Sequence, residues 1–249
     1  RSTLFPYTTL FRSLFMGVEM QATMWAYSQT GALGNMFFRR YLLINKTDIL
    51  GDPQTFDSMY VSMWSDVDDG DSGDDYAGCD TVLSVSYAYN GKGQDAVYGG
   101  TTPAVGFDFF QGPLVDGVAG QDRNKNGVDD ASDFGIFKNA VVGPGLINLP
   151  MTAAYYYINT DPTLTDPIQG SYPEGAVRWY RFMKGRIGLT NEPFIDPNTG
   201  LPSTFTLTGD PVAGTGWIDG QQFAYADRRI GMASGPFNMA PGDTQEVVV

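Results

Sequence analysis

Of the 28 acidic residues in this chain, 24 are Asp and only 4 are Glu. Glu supports helix interiors, whereas Asp competes for the backbone in caps, turns and cation-binding loops. The bias argues against a mainly helical protein and puts the acidic groups on connections. Gly and Pro agree, with 31 and 15 of the 249 residues, beside 16 Phe, 14 Tyr and 4 Trp. Short strands joined by many turns use such a mixture. The length allows one large β domain or two small ones, with enough chain to bury a core.

The hydrophobic pattern predicts where the strands lie. Residues 36–45 (MFFRRYLLIN) read as a long aromatic strand ending in the turn-like 45–48 (NKTD). Residues 57–65 set Met59, Val61 and Met63 on one face and Tyr60, Ser62 and Trp64 on the other. The cleanest alternation is Leu83, Val85, Tyr87 and Tyr89 against Ser84, Ser86 and Ala88. It marks a half-buried antiparallel strand, closed by Asn90-Gly91 as a turn. Residues 23–28, 105–110, 151–158, 204–208, 229–234 and 245–249 are further strand candidates. One stretch differs. Residues 173–185 begin with Pro and Glu, end with Lys-Gly, and space Val177, Tyr180 and Lys184, and also Ala176 and Tyr180, helically. They predict a short helix at about 174–184, packed on a sheet and ended by Gly185. The expected fold is all-β: an antiparallel β-sandwich with long Asp/Gly-rich loops and that one helix.

Charge and residue types exclude several functions. The formal net charge of −13 makes the phosphate term repulsive for nucleic acid and for anionic membranes. No apolar run approaches the ~18–20 residues of a membrane helix. The chain has no His, which removes His-based catalytic triads, histidine metal sites and histidine proton shuttles. With one Cys, no internal disulfide can form; Cys79 reads as a small buried residue, since its neighbours are acidic and a reactive thiol wants a base.

Two acidic loops ask for a cation. Residues 122–133 follow the twelve-position calcium-loop pattern, with Asp122, Asn124 and Asn126 at positions 1, 3 and 5 and Gly127 at 6. The Val128 carbonyl falls at 7, Asp130 at 9 and Asp133 at 12. A tight loop turns alternate side chains toward one centre, and Gly127 permits the sharp bend. Asp in place of Glu at position 12 shortens the reach of that ligand. Residues 64–80 hold seven carboxylates and no base. Asp66 and Asp68, beside Gly70, are the first ligand candidates there, followed by Asp71, Asp74 and Asp75. Their spacing follows no strict template, and an extended solvated loop is the alternative. Without thiolate or imidazole sets, zinc and copper are poor choices and Ca2+ is the expected ion.

Other residues admit a functional and a structural reading. Trp25, Trp64, Trp179 and Trp217 are either a sugar-stacking platform or core residues. Asp66 and Asp68 are too close along one loop to suit glycosidase carboxylates, which flank a sugar ring ~5–9 Å apart. An open groove lined by Asp108, Asp116 or Asp219 would instead favour a polysaccharide-active enzyme. Asn45-Lys46-Thr47 has the form of a glycosylation sequon.

Residues 1–13 (RSTLFPYTTLFRS) match, codon for codon, the translation of a common sequencing adapter. They are expected to be non-native, with residues 14–249 forming a single sandwich-like domain cut from a longer gene. The series 37–47 (FFRRYLLINKT), 58–81 (SMYVSMWSDVDDGDSGDDYAGCDT), 88–99, 102–113, 122–130, 177–185, 209–219 and 227–249 resembles a recurrent β-rich region of large exported proteins. These belong to Bacteroidetes-type bacteria and often end in a type IX secretion sorting domain. The resemblance implies an extracellular or cell-surface setting and supplies no catalytic residues. The expected function is a non-catalytic, calcium-stabilised structural or adhesive module. Its partners would be neighbouring domains of the same chain and polysaccharide or cell-surface components, not nucleic acid or a membrane interior. A carbohydrate-binding module and a polysaccharide-active enzyme domain are the alternatives.

Overall fold

A computed structural model describes residues 16–117, 134–168 and 171–249. The chain is all-β and sandwich-like, built from several antiparallel sheets with one α-helix among the described residues. Among the described residues, no helix is long and apolar enough to cross a membrane. The chain divides into two compact units: residues 62–106 with 152–233, and residues 17–61 with 107–151 and 234–249.

The second of these units holds a three-stranded sheet in the order β1–β2–β15. Here β1 is Val18–Ala26, β2 is Phe37–Asn45 and β15 is Thr244–Val248. β1 and β2 pair antiparallel from Val18 opposite Asn45 to Ala26 opposite Phe37, and β15 pairs on the other side of β2. Two-stranded ribbons join β7 (Leu114–Asp116) to β10 (Leu146–Asn148), and β8 (Gly135–Phe137) to β9 (Ala140–Val142). Asn45 ends β2 fully buried. Its amide donates to the carbonyls of Gln54 and Met239, and its oxygen accepts from Thr47 N and Oγ1. Every polar atom of that side chain is used, so the sequon-like Asn45-Lys46-Thr47 is a structural clasp rather than a glycan acceptor. Glu246 is similarly enclosed, accepting from Gln111 Nε2 at 2.8 Å and Lys138 N at 2.5 Å. Arg40 Nε lies 3.5 Å from its other oxygen without hydrogen-bond alignment.

The first unit holds a sheet of β4 (Asp75–Asp80), β5 (Val85–Asn90) and the first three residues of β6 (Ala104–Asp108). A second sheet has the order β11–β14–β3. β11 is Ala153–Tyr157; β3 (Phe56–Asp66) and β14 (Arg229–Met239) give residues to both units. β11 pairs antiparallel with β14, Ala153 opposite Ala233 and Tyr157 opposite Arg229. A short pair joins β12 (Phe194–Ile195) and β13 (Pro202–Ser203). Residues 204–208, expected to be a strand, form no ladder: Phe205 makes an isolated parallel bridge to Ala154, Thr206 N donates to Ala154 O, and Leu207 O accepts from Cys79 N. β11 is buried at every residue, as a strand covered on both faces must be.

Helix α1 spans Glu174–Met183 and ends where Gly185 takes φ +66°. It packs on β11 through Phe182, whose ring lies 4.9 Å from Tyr157 and 5.5 Å from Tyr155. Trp179 adds an edge-on contact to Tyr157 at 5.7 Å. The inward stripe is therefore Gly175, Trp179 and Phe182, while Ala176, Val177, Tyr180 and Lys184, read as the helical stripe, are exposed.

The strand pattern of β5 is also reversed in burial. Ser86, Ala88 and Asn90 are buried, whereas Val85, Tyr87 and Tyr89 are half-buried. Across the ladder, Asn90 faces Asp75, Ala88 faces Ala77 and Ser86 faces Cys79. Directly opposed residues share a face, so the small-residue side of both strands points inward. The tyrosines pack on the other side, the Tyr76 ring tilted against Tyr89 at 5.8 Å and edge-on to Tyr225 at 6.2 Å. The Tyr87 ring lies over Gly78, where a Cβ would come within 2.4 Å of it.

Candidate metal centre

Asp75 shares its face with Ala77 and Cys79, so period-two alternation carries its carboxylate into the interior. That placement organises the whole acidic loop between β3 and β4. Gly70 turns the loop at φ +92°, and a Cβ there would meet both carboxylate oxygens of Asp95 at 2.4 Å. Only Gly admits that carboxylate. Asp95 accepts backbone N–H bonds from Asp71 at 2.7 Å and from Val97 and Tyr98 at 2.6 Å. These donors, Asp71 foremost, hold its carboxyl below the usual carboxylate range. Asp95 is thus the peg around which the loop wraps. Sequence reading missed it because it lies 15 residues beyond the acidic run, at a position with no spacing signal.

The loop's other carboxylates have separate assignments. Asp71 accepts from Gly73 N at 3.0 Å and caps a 3-10 turn over Ser72–Asp74. Asp74 accepts from Asn90 Nδ2 at 2.9 Å and pairs with Lys92 Nζ at 3.3 Å. Asp66 pairs with Arg229 Nε at 3.0 Å. The same guanidinium reaches Asp166 at 3.2 Å and Asp227 at 3.0 Å. Asp66, Asp68 and Asp227 bring carboxylate oxygens within 4.8 Å of one another, a group able to hold an ion. Arg229 already supplies positive charge there. Burial still pushes the Asp166 and Asp227 carboxyls up, against the lowering effect of Arg229.

Arg228, next along the chain, points the opposite way. It forms a two-point pair with Asp219, Nε to Oδ2 at 2.8 Å and Nη2 to Oδ1 at 3.1 Å. Asp219 also accepts from Ala77 N at 2.9 Å, which fixes β4 beside the site. The Asp227-Arg228-Arg229 run is the signal that sequence reading could have used: two of only 15 basic residues, adjacent and opening a strand candidate.

Two buried carboxylates of the loop have neither a cation nor a full set of donors among the described residues. Asp75 is fully buried and Asp69 is 4% exposed. Asp75 Oδ2 accepts a long 3.5 Å bond from Asp69 N. Asp75 Oδ1 and Asp69 Oδ2 are sealed from solvent and accept no hydrogen bond. Burial, with the charge of Asp69 and its acidic neighbours added, pushes Asp75 up to about 7. Burial likewise raises Asp69, helped by Asp95 and Asp74.

The calcium-loop residues Asp122, Asn124, Asn126, Val128, Asp130 and Asp133 lie outside the described residues. Cys79 is buried, its thiol donating to Thr206 O at 3.1 Å, and burial pushes it up to about 12. It is a packing residue, inert as a nucleophile. The tryptophans serve packing too: Trp217 is buried, Trp64 meets Trp179 edge-on, and Trp25 stacks on Phe38 at 5.3 Å. Asp219 is locked on Arg228 rather than lining a groove, whereas Asp116, exposed at the end of β7, lines an open concavity with Asp57, Asp243 and Gln245.

Asp108 is half-buried, and loss of hydration alone pushes its carboxyl up to about 6. The folded state therefore holds this proton more tightly than the unfolded chain. Its ionised form destabilises the fold fully above about pH 6, and the penalty fades as pH falls from there toward the unfolded value of 3.8, below which it is gone. Asp108→Asn is expected to stabilise the protein at pH 7.5 by about 1–2 kcal/mol after allowing for partial solvent screening. Thermal melts of both proteins at pH 7.5 and 4 check this; a gain that persists undiminished at pH 4 contradicts it.

The fold and the site together define an all-β module whose longest acidic loop is folded around buried carboxylates. Comparison with family models, curated proteins and solved structures gives no match, so this chain's own residues carry the functional reading.

Proposed function

We propose that this chain is a non-catalytic, calcium-stabilised structural or adhesive module of a larger secreted bacterial surface protein. The supporting observation is the gathering of Asp66, Asp68, Asp69, Asp74, Asp75, Asp95 and Asp227 around one loop with Lys92 and Arg229 as its paired cations. Carboxylates crowded at low dielectric repel one another and lose hydration. A divalent ion offsets both costs, and one that binds only the folded chain adds directly to its stability. Oxygen is the sole donor type on offer, which suits calcium. The resemblance to exported Bacteroidetes-type proteins supports the extracellular setting, where millimolar calcium keeps even weak sites filled. Neighbouring domains of the same chain, and cell-surface polysaccharide, are the partners this reading assigns.

A thermal melt tests it. Calcium at about 100 times its Kd adds ~2.7 kcal/mol. For a chain of this length that is a rise of ~5–10 °C over the same protein in excess chelator. Superimposable curves would remove the calcium part of the proposal.

A further inference from the structure

We propose that Asp69 and Asp75 together form a calcium site beneath the Gly70 turn, separate from the Asp66/Asp68/Asp227 group that Arg229 neutralises. The inference rests on the calcium reading above and assigns the ion to one pair of side chains.

The argument is one of unmet charge. In the acidic loop, Asp66 and Asp227 have Arg229, Asp74 has Lys92 and Asn90, Asp71 caps a turn, and Asp95 is satisfied by three N–H donors. Neither Asp69 nor Asp75 is paired with a cation among the described residues, and the donor to Asp75 is the long 3.5 Å N–H bond from Asp69. Each is more than nine-tenths buried, and each keeps one oxygen that is out of water and without a partner. A buried carboxylate without a counter-charge is among the most expensive groups a fold can hold. Proteins retain such groups where something else completes them.

The fold holds the pair in place instead of letting it swing out to solvent. Asp75 is fixed by the β4–β5 ladder opposite Asn90, its carbonyl accepting from Ala226 N at 3.3 Å. Asp69 leads directly into the Gly70 turn, which the Asp95 peg anchors by filling the space over Gly70 and accepting from Asp71 N. The chemical class follows from the donors. Carboxylate oxygens on a turn and a strand edge give an irregular set, which calcium tolerates and magnesium, with its strict octahedron, does not.

The test measures calcium binding to the full chain by isothermal titration calorimetry, with thermal melts in chelator. Asp75→Asn and Asp69→Asn each keep shape while removing charge. Both are expected to weaken one site at least tenfold, and Asp66→Asn to change it less than threefold. In chelator, Asp75→Asn should melt at or above the wild type, because the buried repulsion has gone. A merely structural Asp75 would instead lower that melt. Magnesium should bind the wild type at least tenfold more weakly than calcium. Unaltered calcium binding in either folded variant overturns the assignment, as does loss of binding only in Asp66→Asn. If the wild type binds calcium and Asp122→Ala removes all of it, this site falls while the calcium-stabilised reading stands. If the wild type binds none, both fall.

Discussion

Asp219→Ala should lower the stability of the protein by about 3–5 kcal/mol, the usual cost of leaving one member of a buried ion pair alone. Arg228 and Asp219 are 1% and 2% exposed and joined at two points, 2.8 and 3.1 Å long. Removing the carboxylate strands the guanidinium where its remaining acceptor is Ala224 O at 2.6 Å, with the Tyr76 ring 5.9 Å away. It also orphans the N–H groups of Ala77 and Gly220, which donate to the same carboxylate. At ~2–4 °C per kcal/mol for a chain of this size, the melting point should fall by roughly 6–20 °C. Urea unfolding of the wild type, Asp219→Ala, Arg228→Met and the pair Asp219→Ala/Arg228→Met gives the partition. The double variant should be less destabilised than the sum of the two single changes, since it removes the unpaired charge. A loss below about 1 kcal/mol in Asp219→Ala would show that the pair is dispensable. Because Asp219 holds Ala77 in β4, this variant should also weaken any ion held at Asp75, two residues away.

How far the sequence discloses this arrangement depends on what kind of signal each part carries. Strands with a long aromatic or β-branched run were legible. Residues 36–45 became β2 (Phe37–Asn45), 57–65 became β3 (Phe56–Asp66), and 151–158 became β11 (Ala153–Tyr157). The 229–234 candidate extends to Met239, through a Gly-Pro pair at 235–236 that reads locally as a turn. Tertiary pairing overrode that local preference. The acidic loop was legible as a loop and as a cation candidate, but not in its internal roles. Asp71, Asp74 and Asp75 look alike in a row of aspartates. What separates them is a cap, an ion pair with Lys92, and a place on the inward face of β4. That face was hidden because hydrophobic pattern assigns burial to large side chains. In β4 and β5 the buried side is made of Ala77, Cys79, Ser86 and Ala88, small enough for close approach, and the tyrosines line the outer side. A reader who places Val85, Tyr87 and Tyr89 in the core also turns Asp75 outward. The reversed face and the buried carboxylate are one misreading. Asp69 and Asp95 escaped for a different reason: their roles depend on contacts between residues 24 apart and on the space left by Gly70.

Helix α1 carries the same lesson in a form that two substitutions can measure. Phe182→Ala should cost about 3–5 kcal/mol, the range for truncating a buried aromatic ring, whereas Tyr180→Ala should cost less than about 1 kcal/mol. Phe182 is 1% exposed and wedged among Tyr155, Tyr157 and Phe194, with ring centroids at 5.5, 4.9 and 6.3 Å. Gly188 lies so close that a Cβ there would approach the Phe182 ring at 2.3 Å, so the cavity left by truncation is walled by rigid neighbours. Tyr180 is 37% exposed, with Lys184 Nζ over its ring at 5.5 Å. Sequence periodicity cannot separate these stripes. Ala176, Val177 and Tyr180 are as apolar as Trp179 and Phe182, and the third member of the inward stripe, Gly175, has no side chain to register in a hydrophobic pattern. What selects the inward stripe is β11, whose tyrosines form the edge-to-face partners that Phe182 and Trp179 need. Urea unfolding of both variants decides between the stripes. Equal losses, or a larger loss for Tyr180→Ala, would mean that the helix turns its other face to the sheet. Since Trp179 also meets Trp64, whose indole donates to Asp166 at 3.3 Å, a rotated helix would loosen the Arg229 carboxylate cluster as well. Phe182→Ala is therefore expected to shift the melt without changing the calcium stoichiometry, because Asp69 and Asp75 are held by β4 and the Asp95 peg rather than by the helix.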